Sequence, residues 1–158
     1  MLSEIMMELP QKIKNFIEEK IELENMSLPW NYPSADKFND FQAGYRFDAK
    51  TNENLTGQKG EFKENWFVIC SNYFNDPFFI DVSEINLPVY YAQHGAGNWT
   101  PVRVSENIEA FSDQLKQIKE LEEDRPLLLE KLKNEFDLEN ELWNEVYENV
   151  LDDEDGEE

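Results

Sequence analysis

Residues 65–104 read NWFVICSNYFNDPFFIDVSEINLPVYYAQHGAGNWTPVRV, and this stretch constrains the fold more than any other part of the chain. Short runs of β-branched and aromatic residues alternate with turn formers, the pattern of several short strands in one sheet. Trp66 to Cys70 is unbroken apolar text, as expected of a central strand covered on both sides. Asn75, Asp76 and Pro77 are turn formers, which places a hairpin loop at residues 71–76. Residues 78–82, 89–92 and 99–104 read as three more strands, with a loop around Gly95, Ala96 and Gly97. Upstream, Tyr45, Phe47 and Ala49 alternate with Arg46, Asp48 and Lys50, the pattern of a half-exposed strand.

On both flanks the text turns charged and helical. Pro10 suits the start of a helix, and Ile13, Phe16, Ile17 and Ile21 recur on one helical face. After the sheet, Ser105 is placed to cap a helix whose apolar stripe is Ile108, Phe111, Leu115 and Ile118. Asp124 before Arg125 and Pro126 opens a second helix, carrying Leu127, Leu128, Leu129, Leu132 and Phe136. Asp137 is placed to cap a last helix with Leu138, Leu142, Val146 and Val150 four apart. These readings predict an α+β fold: a mainly antiparallel sheet with helices packed on one face and helical N- and C-terminal segments. A length of 158 residues suits one domain, assigned to residues 1–151. Residues 152–158, DDEDGEE, have no apolar side chain and read as an acidic, disordered tail.

Charge narrows the class of partner. The net charge is −21, and residues 120–158 hold 17 acidic against 3 basic side chains. That field opposes direct contact with nucleic-acid phosphates. It favours encounter with a basic protein, beside its plainer role in solubility. The N-terminus lacks the apolar core of a secretory signal, and no run reaches the roughly 20 apolar residues of a membrane helix. A cytoplasmic protein without membrane contact is expected. Asn25, Asn54 and Asn98 head glycosylation sequons that such a location leaves unused.

Catalytic chemistry finds little material. Cys70 is the only cysteine and His94 the only histidine. Together they could form a nucleophilic pair, but a cysteine in mid-strand is ordinarily buried and inert. One His and one Cys fall short of a zinc site. Asp76 and Asp81 could pair as carboxylates, yet Asp76-Pro77 is more simply a turn. The Gly95–Gly97 loop lacks the lysine and length of a phosphate loop. No enzyme, cofactor or metal is expected. The aromatics remain. Phe67, Phe79, Tyr91 and Trp99 read as core. Trp30 and Tyr32 lie in a proline-bounded loop, Tyr73 and Phe74 at the hairpin tip, and Asp76 beside them. These five are the candidate partner-binding residues, against the plainer reading that each packs under a helix.

The blocks GYRFDAKTNENLTG, WFVICSNYFNDPFFIDV and PVYYAQHGAGNWTPVRVSENIEAF, together spanning about residues 44–118, resemble the SUKH superfamily, which includes bacterial relatives of fungal cell-wall regulators. The resemblance implies an α+β domain without catalytic activity. It implies an immunity protein that binds and neutralises a toxin, often a nuclease. An alternative within the same resemblance is a regulatory scaffold that binds an endogenous protein.

Overall fold

The computed structural model describes residues 9–93 and 98–156. Four strands form one sheet in the order β1-β2-β3-β4, each pair antiparallel: β1 Trp66–Ser71, β2 Pro77–Asp81, β3 Val89–Tyr91 and β4 Val102–Ser105. Among the described residues, four α-helices accompany them: α1 Gln11–Glu19, α2 Ile108–Glu120, α3 Arg125–Glu135 and α4 Glu141–Gly156. The predicted class holds: an antiparallel sheet with helices on one face.

The helix face is built as the periodicities indicate. Ile13, Phe16 and Ile17 of α1, and Ile108, Phe111, Leu115 and Ile118 of α2, are buried in one cluster. Leu142, Val146 and Val150 of α4 join it, and Leu128 and Leu132 bring in α3. From the sheet come Phe67, Ile69, Cys70, Phe78, Ile80, Val89, Tyr91 and Val104. Side chains alternate across a strand, yet Ile69 and Cys70 both face this cluster. The register slips between Val68 and Cys70, and the extra residue of the bulge turns two neighbours to one side.

The caps differ from expectation in two places. Asn107, not Ser105, caps α2, its Oδ1 accepting the Ala110 N–H at 2.7 Å. Asn140, not Asp137, caps α4, accepting the Leu142 N–H at 2.9 Å. Asp137 instead accepts the Glu139 N–H in the turn before. Asp124 caps α3 through the Leu127 N–H, as read from the sequence. The last helix carries its backbone through Gly156, so residues 152–156 are helical where a disordered tail was expected.

The other face of the sheet is covered without α-helices. Phe62, Trp66, Val68, Phe79 and Ala92 are buried there, with Phe41, Tyr45, Tyr90 and Trp99 packed against them. Residues 43–50 are turns and isolated bridges rather than the predicted strand. Gly44 sits at φ +89°, a region glycine enters without strain. The Asp48 carboxylate then accepts the Lys50 and Thr51 N–H groups and curls the chain away from extension.

β1 is an edge strand, not the central one predicted. Its apolar run is explained by cover on both faces. Its open side is closed by side chains. The Gln42 amide accepts the Val68 N–H at 2.8 Å and donates to the Val68 carbonyl at 2.9 Å, as a neighbouring strand would. Arg46, expected on an exposed strand face, is 3% exposed and donates to the Trp66 and Glu64 carbonyls. Its guanidinium lies 4.0 Å from the centre of the Phe67 ring, and burial lowers its pKa to about 10. At the strand's end the backbone of Asn31 pairs with Ser71. An edge closed in this way offers no template to another strand.

Candidate functional site

The pairing of Asn31 with Ser71 assembles the candidate site. The Trp30 and Asn31 N–H groups both donate to the Ser71 carbonyl, at 2.9 and 3.0 Å, and Ser71 N–H donates back to the Asn31 carbonyl. This ties the proline-bounded loop to the β1–β2 hairpin. Trp30 thereby meets Tyr73 edge-on, with ring centres 4.8 Å apart. Trp30, Tyr73 and Phe74 are 43%, 45% and 48% exposed, three of the large apolar side chains the fold leaves in water.

The hairpin tip is held from beneath. Asn72 Oδ1 accepts the Phe74 and Asp76 N–H groups at 2.9 and 3.0 Å, and its N–H donates to the Asp76 carbonyl. Asn75 closes the turn in the left-handed region at φ +64°, which asparagine tolerates. The Tyr45 hydroxyl donates to the Asn75 carbonyl at 2.6 Å. Desolvation by burial pushes the Tyr45 phenol up to about 12, so the donor keeps its proton at neutral pH. Tyr73 and Phe74 are thus presented on a fixed turn.

Two of the five candidates are not surface contacts. Tyr32 is buried: its hydroxyl donates to the Ile21 carbonyl at 2.6 Å and its ring meets Phe16 at 5.7 Å. It is two residues from Trp30, a spacing that would put both on one side of a regular strand, yet its ring lies in the helix-face core. Asp76 is also buried, 5% exposed, and its carboxylate accepts from the Tyr91 hydroxyl at 3.5 Å. It supports the hairpin from inside. Behind it, burial raises the Glu145 carboxyl, the Ser27 side chain bonding it pulls the other way, and the Asp76 charge adds to the rise.

A groove of about 560 Å³ opens beside the tip, lined in part by Asn31, Asp40, Phe41, Tyr45, Asn75 and Trp99. Sequence reasoning missed it. Phe41 and Tyr45 come from the segment read as loop and strand, and Trp99 from the residues read as the last strand. Trp99 instead leaves the sheet, its N–H bonded to the Gly60 carbonyl at 2.9 Å.

Cys70 is fully buried, and desolvation raises its thiol well above the ordinary value, which suppresses the nucleophilic thiolate. His94 and Gly95–Gly97 lie outside the described residues. Among the described residues, no three His, Cys, Asp or Glu side chains converge on a point that could hold a metal ion. No described helix is long and apolar enough to cross a membrane.

No family model, curated protein or solved structure matches this chain. The functional reading therefore rests on the surface itself and on the sequence resemblance.

Proposed function

We propose that this chain is a non-catalytic immunity-type protein of the cytoplasm that binds and neutralises a basic toxin domain, with a nuclease as the favoured class. The observation that carries this reading is the Trp30–Tyr73 ring pair with the neighbouring Phe74, all half exposed where a fixed turn meets the proline-bounded loop, in a chain of net charge −21. Large rings held in water on a rigid loop are costly unless a partner covers them, and clustered exposed aromatics are the usual anchors of protein interfaces. The acidic field supplies the second half. It accelerates approach of a positively charged partner and repels nucleic acid. A nuclease surface is basic because it must meet phosphates, so an acidic inhibitor can occupy that surface. The resemblance of residues 44–118 to the SUKH superfamily supports the same class.

The test is binding kinetics against basic nuclease toxin domains, at two salt concentrations. Association should slow as salt rises, because screening acts over about 10 Å at 0.1 M. Tyr73→Ala should speed dissociation on the order of ten-fold, as loss of an interface anchor does. Absence of binding sinks the immunity reading, and binding to an endogenous protein in its place favours the regulatory scaffold.

A further inference from the structure

The groove beside the hairpin tip differs from the other clefts of the surface in what it lacks. A cleft between α1 and α2 contains Lys12 and Lys116, already paired with Glu109 and Glu19 at 3.4 and 2.7 Å. A cleft between β4, α2 and α4 contains Arg103 among its carboxylates. A third, at residues 24–26 and α3, contains Arg125. Among the described residues, the groove at Asn31, Asp40 and Trp99 has no basic side chain in its lining. It has one carboxylate, Asp40, which is exposed. It has ring surfaces from Phe41, Tyr45 and Trp99, the last two 5.9 Å apart at their centres. Asn31 and Asn75, whose side chains can accept hydrogen bonds, also line it.

Aromatic faces attract a cation through the ring quadrupole. A carboxylate and amide oxygens around those faces suit a planar group with several N–H donors, a description that fits guanidinium better than ammonium. The walls are fixed by the Asn31–Ser71 backbone pair and by the Tyr45 hydroxyl on the Asn75 carbonyl, so little ordering is left for the ligand to impose. We infer that the groove is the seat of an arginine side chain presented by the basic partner, with Trp30, Tyr73 and Phe74 covering the apolar surface next to it. This rests on the partner-binding reading above and assigns its specificity to a second, polar element.

The experiment is a titration of the full chain, followed by amide and indole NMR shifts, with three capped amino acids: arginine, lysine and the neutral isostere citrulline. Arginine should shift the Trp99 indole and the Gly44 and Asn75 amides most, lysine less, and citrulline least. Asp40→Asn, at an exposed position that should leave folding intact, should weaken the arginine response about three-fold, the scale of one exposed ion pair. Equal responses to arginine and citrulline overturn the assignment, as do arginine shifts confined to α3 and α4. The two readings fail separately. A toxin bound through Tyr73, with no arginine response in the groove, removes the arginine seat and keeps the immunity reading. An arginine response in the groove without toxin binding does the reverse.

Discussion

The two faces of the sheet bury aromatic side chains to the same depth by different means. On the helix face, Phe111 is completely buried and meets Phe16 and Phe78 at 5.9 and 5.5 Å. On the loop face, Phe79 is equally buried and meets Trp66 and Phe62 at 4.7 and 5.0 Å. The first is covered by regular helices whose stripes repeat every three or four residues. The second is covered by residues 41–62 and Trp99, which follow no period. Ring-on-ring packing there takes over the work that helix stripes do on the other side.

The sharpest way to break this comparison is to truncate both rings. Phe79→Ala and Phe111→Ala should each cost about 3–5 kcal/mol, the range for a large buried aromatic, measured by denaturant unfolding. If the loop cover were a loose flap, it would collapse into the space and Phe79→Ala would cost well under about 2 kcal/mol. That outcome would make the helix face the sole true core.

The two edges of the sheet extend the comparison at smaller scale. Gln42 holds the β1 edge with its amide, 0% exposed, bonded to Val68 on both sides and to the Phe38 carbonyl. On the β4 edge, Asn140 Nδ2 donates to the Arg103 carbonyl at 2.7 Å, and Trp143 Nε1 to the Val104 carbonyl at 3.1 Å. Gln42→Ala leaves a buried N–H and two buried carbonyls without these partners and should cost about 2–3 kcal/mol. Asn140→Ala, at a wetter site, should cost about 1 kcal/mol, the scale of a helix cap. Amide exchange at Val68 reads the first directly. Protection there unchanged by Gln42→Ala would mean that the loop does not close the edge.

This contrast also explains what was legible in the sequence. Helix stripes were readable because one repeating spacing encodes one buried face, so Ile108, Phe111, Leu115 and Ile118 could be assigned without knowing their neighbours. The loop face was not readable. Its partners are brought together by single contacts between distant residues, such as Gln42 on Val68 and Trp99 on Gly60. The alternation at Tyr45–Lys50 imitated a strand, but Gly44 and the Asp48 turn bound it too closely for one to form. Apolar continuity in Trp66–Cys70 correctly signalled cover on both faces and wrongly suggested a central place, because side chains rather than a strand complete its edge. At the site, turn chemistry placed Tyr73 and Phe74 on the surface. Nothing local distinguished Trp30, which is exposed, from Tyr32, which is not.

A pH titration probes the seam where hairpin and helix face meet. Burial raises the Glu145 carboxyl, and burial raises that of Glu122, above the ordinary 4.5. A group whose folded pKa is raised contributes stability that is complete below its unfolded value and lost as pH rises through the folded one. Stability should therefore increase as pH falls from 7 toward 4.5. Hydrogen bonds from Lys116 and Ser112 lower Glu19, and backbone N–H groups lower Asp48. Their contribution is lost as pH falls through their folded values, so the trend reverses below about 4. Glu145→Gln should raise the melting temperature at pH 7 by about 1–3 °C, the scale of a fraction of a kcal/mol in a domain of this size, and flatten the rise on acidification. An unaltered slope in that variant would place the effect elsewhere.

The smallest expected effect on stability is at the hairpin tip, and its smallness is the point. Tyr73 is 45% exposed, and its ring contact is with Trp30, itself 43% exposed. The turn beneath is held by Asn72, Asn75 and Tyr45, none of which depends on the Tyr73 ring. Tyr73→Ala should therefore change unfolding free energy by less than about 0.5 kcal/mol, as surface substitutions do, while Phe79→Ala, six residues on, costs several. A residue kept for packing should cost stability in proportion to its ring; a residue kept for a partner should cost affinity alone. If Tyr73→Ala destabilises by more than about 1 kcal/mol, the Trp30–Tyr73 pair is an outlying part of the core. The exposed cluster would then lose its claim to be a binding surface. If stability is untouched and dissociation from the toxin domain quickens, the tip stands apart from both faces as the part of the fold that serves recognition.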